Sequence, residues 1–221
     1  MKFFSNLRRV SIFRQQEGFT LQLAALMAFL MLAGLTAQSQ NANGNTISAK
    51  NPSGTAATLT TAGSFDFNNP FFQSIGTNGR ACVTCHQPTQ GWSVSAAAVQ
   101  QRFKASNGLD PIFRAVDGAN CPTNFTPGNA NDSTQLLNRG LLRIDRPLPD
   151  NAQFTIEVTD DPYNCSTPTD ISVYRRPLPS TNLRFLSAVM WDQRENAPGR
   201  SVPDDLTQQA IDATLGHAQA A

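Results

Sequence analysis

Charged residues are scarce in this chain of 221 residues, and the two signs nearly cancel. Lys and Arg number 17 against 16 Asp and Glu, which gives a net charge of +1 and a charged fraction of 15%. No block of like charge occurs along the sequence. Binding to nucleic acid or to an anionic membrane surface needs a surface of one sign. The sequence therefore predicts no nucleic-acid partner, and no membrane contact beyond an N-terminal segment considered below.

Histidine and cysteine are also scarce, with 2 His and 4 Cys in the whole chain. Cys82, Cys85 and His86 lie together in the stretch GTNGRACVTCHQPTQGW, residues 76–92. A structural zinc site needs four ligands, usually from two paired clusters, and no second cluster follows. A thioredoxin-like C-x-x-C normally opens a helix after a strand, whereas a loop with Gly and Asn, residues 76–79, precedes this one. The context therefore disfavours both the zinc and the thioredoxin-like alternatives.

The three residues form C-x-x-C-H, the pattern at which a c-type haem is attached. In such a site the two thiols add across the two vinyl groups of the porphyrin, and the adjacent imidazole binds the iron. The sequence thus predicts one covalent haem c, held by Cys82 and Cys85, with His86 as the proximal iron ligand.

Residues 1–37 have the organisation of an export signal. An uncharged apolar run from Leu21 to Leu35 is followed by Thr36 and Ala37, which offer a small-residue cleavage site. The run is short for crossing a bilayer, which takes about 20 residues, so cleavage is favoured over anchoring. Four basic residues precede the run: Lys2, Arg8, Arg9 and Arg14. We therefore expect a periplasmic or otherwise exported protein.

Export has a consequence for the two cysteines outside the motif. Disulfides persist in the oxidising conditions outside the bacterial cytoplasm, where c-type haem is also attached. Cys121 and Cys165 are therefore expected to be bridged, the alternative being two separate buried thiols.

The remaining chain divides by composition. Residues 38–64 are polar and rich in small side chains, which predicts a flexible linker. Residues 65–221 are predicted to form one domain. Its last helix has neither Gly nor Pro as a terminator, so the domain is expected to be incomplete at its C-terminal end.

Local patterns within that domain favour helices over strands. Helices are predicted from a cap at Ser93 or Ser95 to Asn107-Gly108, from a cap at Asp132 or Ser133 to Gly140, and after Pro203. Two alternating stretches, 154–158 and 171–174, allow a small β-hairpin insertion. The predicted fold class is mostly α: a loop-rich, cytochrome c-like helical haem domain.

Residues 76–92, together with AVMWDQRE at 188–195 and LTQQAIDATLGHAQ at 206–219, resemble the amino-terminal haem domain of bacterial di-haem cytochrome c peroxidases and MauG-like proteins. The resemblance covers residues 65–221. It implies electron transfer linked to peroxide reduction, with hydrogen peroxide as substrate and a redox partner protein as electron donor. It also implies that Trp191 conducts electrons next to the haem and that Gln209 lies near the peroxide-binding face.

Few residues of the chain could serve as the second axial ligand of the iron. After removal of residues 1–37 the strong haem ligands are His86, His217 and Met190, so the sixth position is His217, Met190, a weak ligand or open. Peroxide chemistry also needs one group that moves a proton and another that stabilises charge. Gln209, Glu195 and Arg194 are the candidate catalytic residues.

Three functions are compatible with the sequence. One is a peroxidase-type haem domain, an oxidoreductase if complete or partnered, and another is a single-haem electron carrier without catalysis. The third is a truncated, non-catalytic binding fragment.

Overall fold

A computed structural model describes residues 41–51 and 53–218. The predicted export signal, residues 1–37, lies outside the described residues. Within the described part, no helix combines the length and the apolar character needed to cross a membrane.

The first elements are three antiparallel strands, β1 (Asn41–Asn43), β2 (Thr46–Asn51) and β3 (Gly54–Leu59), in the order β1-β2-β3. The prediction of a flexible linker over residues 38–64 is therefore wrong for this part of the chain. Asn43 pairs with Thr46, so the β1–β2 connection is a two-residue loop that begins with Gly44, at φ 59°. Ile47 and Ala49, two residues apart and thus on one face of β2, are buried. The many small polar residues of this stretch predicted a linker, although Ile47 and Ala49 alternate with polar residues as in a strand.

Five short helices follow: α1 (Cys82–Cys85), α2 (Ala96–Ser106), α3 (Ala115–Gly118), α4 (Thr134–Arg139) and α5 (Val202–Ala213). α2 begins as predicted, because the Ser95 side chain accepts a hydrogen bond from the Ala98 N–H, and it ends at Asn107 in the left-handed region. α4 also ends as predicted, at Gly140 with φ 65°. α5 starts slightly earlier than predicted, with Ser201 as its cap, and a π-helical turn, Thr214–Ala218, follows it.

A second sheet pairs β4 (Leu142–Pro147) antiparallel with β5 (Asp170–Arg175). The predicted strand at 171–174 is confirmed, but the predicted strand at 154–158 is wrong, since that stretch is irregular. The partner of β5 lies further back in the chain, directly after α4, and tertiary pairing selects it over the local alternation.

The prediction of a mostly α, cytochrome c-like helical domain is also wrong. The described chain is a loop-rich α/β structure with short helices and two small sheets. The whole sequence has 14 Gly and 14 Pro, residue types that interrupt helices and favour turns.

The hydrophobic core lies between α2, α4, the start of β4 and a 3₁₀ turn at Pro111–Phe113. Cys85 and Phe103 pack against it from the side, so the C-x-x-C-H segment rests directly on the core. The buried core residues are Val94, Val99, Ile112, Phe113, Leu136, Leu137 and Leu142.

The predicted disulfide between Cys121 and Cys165 is present. It joins the 3₁₀ turn Pro122–Asn124 to the loop that precedes β5. In that loop the Asp161 carboxylate accepts hydrogen bonds from the N–H groups of Cys165 (2.6 Å) and Ser166 (2.5 Å).

Candidate cofactor-attachment site

The C-x-x-C-H segment forms a single helical turn, α1. The extended Ala81 precedes it, and the Ala81 N–H donates to the Thr84 hydroxyl at 3.0 Å. The His86 N–H closes the turn by donating to the Cys82 carbonyl at 2.9 Å. Residues three apart lie on one side of a helical turn, so the two thiols share a side. Neither thiol is in a disulfide, and both are half-buried.

The two thiols differ in their surroundings. Cys85 packs against the core, and burial raises the pKa of its thiol to about 11, although the Arg80 and Arg102 guanidinium groups act in the opposite direction. Burial also raises the pKa of the Cys82 thiol above its ordinary value. Both side chains therefore hold their protons at neutral pH.

Alkylation of the haem-free protein should measure how far burial lowers the reactivity of Cys85. The thiolate is the reactive form. A pKa near 11 leaves Cys85 with roughly 100-fold less thiolate than an ordinary thiol with a pKa near 9. We expect iodoacetamide at pH 8 to label Cys85 about 100-fold more slowly in native protein than in urea, as followed by peptide mass spectrometry. Equal rates in the two conditions would contradict the burial of this thiol.

The same shift fixes the sign of a pH effect on stability. Because the pKa of Cys85 is raised in the folded state, the folded protein holds the thiol proton more tightly than the unfolded chain does. The contribution of this protonated thiol to the free energy of unfolding is complete at neutral pH, and it declines as pH rises from the ordinary thiol value towards about 11.

His86 is held by a hydrogen bond between its Nδ1 atom and the Trp92 carbonyl oxygen, at 3.0 Å. A carbonyl oxygen only accepts, so Nδ1 carries the proton and donates it. In the neutral ring Nε2 then carries the lone pair, and this is the atom that an imidazole ligand presents to iron. Such a hydrogen bond to the second ring nitrogen orients metal-binding histidines and raises their basicity.

The loop Gln87–Ser93 brings the Trp92 carbonyl back to His86. The Gln87 N–H donates to the Ser93 carbonyl at 3.0 Å, and the Trp92 N–H donates to the Gln87 carbonyl at 2.8 Å. Gly91 and Trp92 both have positive φ, 62° and 60°, and the Ser93 N–H donates to the Gln90 carbonyl. Two successive positive φ values are typical of a type I′ turn.

An aromatic cluster covers this loop. The Trp92 side chain is 6% exposed, and its ring lies edge to face with Phe71, at 5.7 Å between centroids. Phe71 also lies 6.4 Å from the His86 ring. The Trp92 Nε1–H donates to the Thr58 hydroxyl on β3 at 2.7 Å. The N-terminal sheet thus contacts the site through Trp92.

The residues present fit a c-type haem in three respects. Two thiols outside any disulfide lie on one helical turn, an imidazole follows directly, and its Nδ1 hydrogen bond assigns Nε2 to the metal. No group of three or more His, Cys, Asp or Glu side chains in the described part of the chain could hold a metal ion by itself. A haem iron has no need of such a group, because the porphyrin supplies four nitrogen ligands.

The other predicted site residues lie on the loop before α5. Trp191 is 69% exposed, and the Arg175 guanidinium lies 5.2 Å from its ring centroid. The Arg194 Nη1 atom contacts the Asp192 carboxylate at 3.0 Å, and its Nε lies 3.5 Å from the Glu195 carboxylate. Burial raises the pKa of Glu195, with a further contribution from Asp212 on α5. Arg194 and Glu195 therefore contact each other, whereas Trp191 contacts Arg175.

The remaining candidates are in or near the same region. Met190 is half-buried with φ 64°, and Gln209 is half-buried on α5. His217 belongs to the π-helical turn, and its side chain is not among those described. The assignment of His217 or Met190 as distal ligand therefore stays a prediction, as do the catalytic roles of Gln209, Glu195 and Arg194.

Sequence reasoning missed two residues of this site, Trp92 and Thr58. Trp92 was visible only as the end of the motif stretch, and its preceding Gly91 was the one local signal for a turn that returns to His86. Thr58 gave no signal, because its contact spans 34 residues.

Comparison with protein-family models, with curated proteins and with solved structures finds no match for this chain. The resemblance to the amino-terminal domain of di-haem cytochrome c peroxidases therefore stays a prediction.

Proposed function

We propose that this chain is an exported c-type haem protein that transfers electrons, with one haem held through thioether bonds to Cys82 and Cys85. His86 would bind the iron through Nε2. When bound, the haem would supply one-electron redox chemistry, and the protein would supply the two attachment thiols and this imidazole ligand. The disulfide is compatible with export, since disulfides persist outside the cytoplasm.

The observation that carries the proposal is the hydrogen bond from His86 Nδ1 to the Trp92 carbonyl, at 3.0 Å. The loop brings the Trp92 carbonyl to His86 through two residues with positive φ, one of which is not Gly. Unfavourable backbone conformations of this kind cluster at functional sites, so the bond indicates more than packing of the histidine. The bond selects the tautomer required by a metal and prevents rotation of the ring. C-x-x-C-H and this geometry are independent features that favour the same chemistry.

The test is expression of the full chain, with its own N-terminal segment, in a bacterium that carries the haem-maturation machinery. We expect one haem per chain that survives denaturation and acid-acetone extraction, as measured by haem staining and the pyridine haemochrome spectrum. The Cys82→Ala/Cys85→Ala variant should retain none. A Met190→Ala variant, which leaves the attachment residues intact, is the control and should retain covalent haem. Extraction of all haem from the wild-type protein would refute the proposal.

Peroxide reduction is the more specific role implied by the family resemblance. Hydrogen peroxide, two electrons and two protons give two water molecules, so a donor protein must supply two electrons through the single haem in each turnover. We expect a high-spin ferric spectrum and rapid oxidation of the ferrous protein by peroxide if the sixth position is open. A six-coordinate, low-spin protein that does not react with peroxide would instead be an electron carrier.

A further inference from the structure

Trp92 has a backbone conformation that is unusual for a bulky residue. Its φ is 60°, in the left-handed region, which is unfavourable for residues other than Gly. Outliers of this kind persist only where the surroundings enforce them, and they cluster at functional sites. At Trp92 the outlier has a visible result, because it directs the carbonyl of this residue at His86 Nδ1.

Two kinds of contact enforce the conformation. The backbone is held by the hydrogen bond from the Trp92 N–H to the Gln87 carbonyl. The side chain is held by aromatic contacts with Phe71 and Phe72 and by the 2.7 Å hydrogen bond from Nε1 to Thr58 Oγ1. The aromatic contacts define the position of the indole ring, and the directional hydrogen bond to Thr58 defines the orientation of its N–H group.

Thr58 is itself held in place by the first sheet. It pairs with Ile47 across β2 and β3, and Ile47 is 1% exposed. β2 and β3 both contact the 3₁₀ turn Pro88–Gln90, which lies between His86 and Trp92 in the chain. The sheet therefore packs against the loop that positions the imidazole.

We infer that Thr58 is a positioning residue for the iron ligand: through the indole of Trp92, the first sheet sets the orientation and the tautomer of His86. The inference rests on the proposed function and deepens it. Loss of the Thr58 hydroxyl leaves the indole N–H without its acceptor, and the ring and the carbonyl of the same residue gain freedom. The Nδ1 hydrogen bond then weakens, His86 becomes a poorer donor to ferric iron, and the reduction potential rises.

The experiment compares Thr58→Val, which keeps the shape but removes the hydroxyl, with Thr58→Ser, which keeps the hydroxyl. Nitrogen-15 NMR of the haem-free protein reports the His86 tautomer, because iron on Nε2 would itself keep the proton on Nδ1. His217→Asn in each background assigns the signal. Potentiometric titration of the haem-containing protein reports the potential. We expect Thr58→Val to lose the single Nδ1–H tautomer in the haem-free protein and to shift the potential of the haem-containing protein upwards. Thr58→Ser should match the wild type in both.

Each outcome has a defined meaning. If Thr58→Val matches the wild type in both tautomer and potential, or if Thr58→Ser changes them equally, the inference is wrong. If no protein carries haem but Thr58→Val still changes the tautomer, the proposed function fails and the positioning role stands. Trp92→Phe removes the same hydrogen bond from the other side and must reproduce the Thr58→Val changes. It replaces Thr58→Val if that variant does not fold, and a wild-type tautomer in Trp92→Phe would then overturn the inference.

Discussion

Replacement of Arg80 by Met is expected to lower the free energy of unfolding by about 3–5 kcal/mol, the range for breaking a buried ion pair by removing one partner. Arg80 is 3% exposed, and Asp117, which faces its Nη1 atom at 3.7 Å, is 8% exposed. The variant keeps an apolar side chain of similar length but removes the cation from beside a buried carboxylate. Urea unfolding, followed by circular dichroism, measures the change.

Hydrogen bonds add to this loss. Arg80 Nε donates to the Pro111 carbonyl at 2.9 Å, and Nη2 donates to the Val116 carbonyl at 2.6 Å. A hydrogen bond from a charged group such as this guanidinium contributes about 1.5–3 kcal/mol. The contact with Pro111 connects Arg80, two residues before α1, to the 3₁₀ turn Pro111–Phe113, which contributes two core residues. Arg80 therefore fixes the start of the C-x-x-C-H turn relative to the core.

Arg194→Met is the matched control. Arg194 also forms an ion pair, with Asp192 at 3.0 Å, but both side chains are more than a quarter exposed, at 26% and 27%. Exposed ion pairs contribute about 0–1 kcal/mol because water screens them. A midpoint shift for Arg80→Met as small as that for Arg194→Met would show that the buried pair contributes no more than a surface pair.

The parts of this fold that could be predicted from sequence are those determined by neighbouring residues. Ser95 accepts from an N–H three residues later, and Gly140 ends α4 because it adopts a positive φ, so both boundaries are local properties. The C-x-x-C-H pattern is local as well. The disulfide between Cys121 and Cys165 was predictable for another reason, since only two cysteines remained outside that pattern.

The parts that could not be predicted depend on distant contacts. β5 pairs with Leu142–Pro147 and not with the nearer alternating stretch at 154–158, because burial against the core decides the partner. Gly44-Asn45 is a recognisable hairpin turn, but the strands beside it are stable only where β2 packs on Pro88–Gln90. Trp92 adopts positive φ through contacts with Thr58 and Phe71, which no local pattern indicates.

Loss of the Cys121–Cys165 disulfide is the second change with a large expected effect on stability. The cysteines are 44 residues apart, and the entropy of closing a loop of this length corresponds to about 4 kcal/mol at the upper end, with 2–4 kcal/mol typical of measured disulfides. The bridge restricts the unfolded chain, so its loss should lower the unfolding midpoint in urea. Reduction of the wild-type protein and the Cys121→Ala/Cys165→Ala variant should give similar losses.

The reductant must act on this bridge alone for the comparison to be valid. In protein that carries the proposed haem, thioether bonds at Cys82 and Cys85 would resist reduction. In haem-free protein the Cys82→Ala/Cys85→Ala background removes these thiols altogether. Reductant should lower the midpoint in that background and leave it unchanged in the Cys121→Ala/Cys165→Ala variant. The alanine variant loses slightly more than reduction does, because Cys121 is 4% exposed and its truncation also removes buried atoms. The contrary result would be an unchanged midpoint of the wild-type protein in reductant, with both thiols shown to be free by mass spectrometry. It would mean that the bridge contributes nothing, and that the loop before β5 is held by the hydrogen bonds to Asp161 and by the packing of Tyr163 on Tyr174.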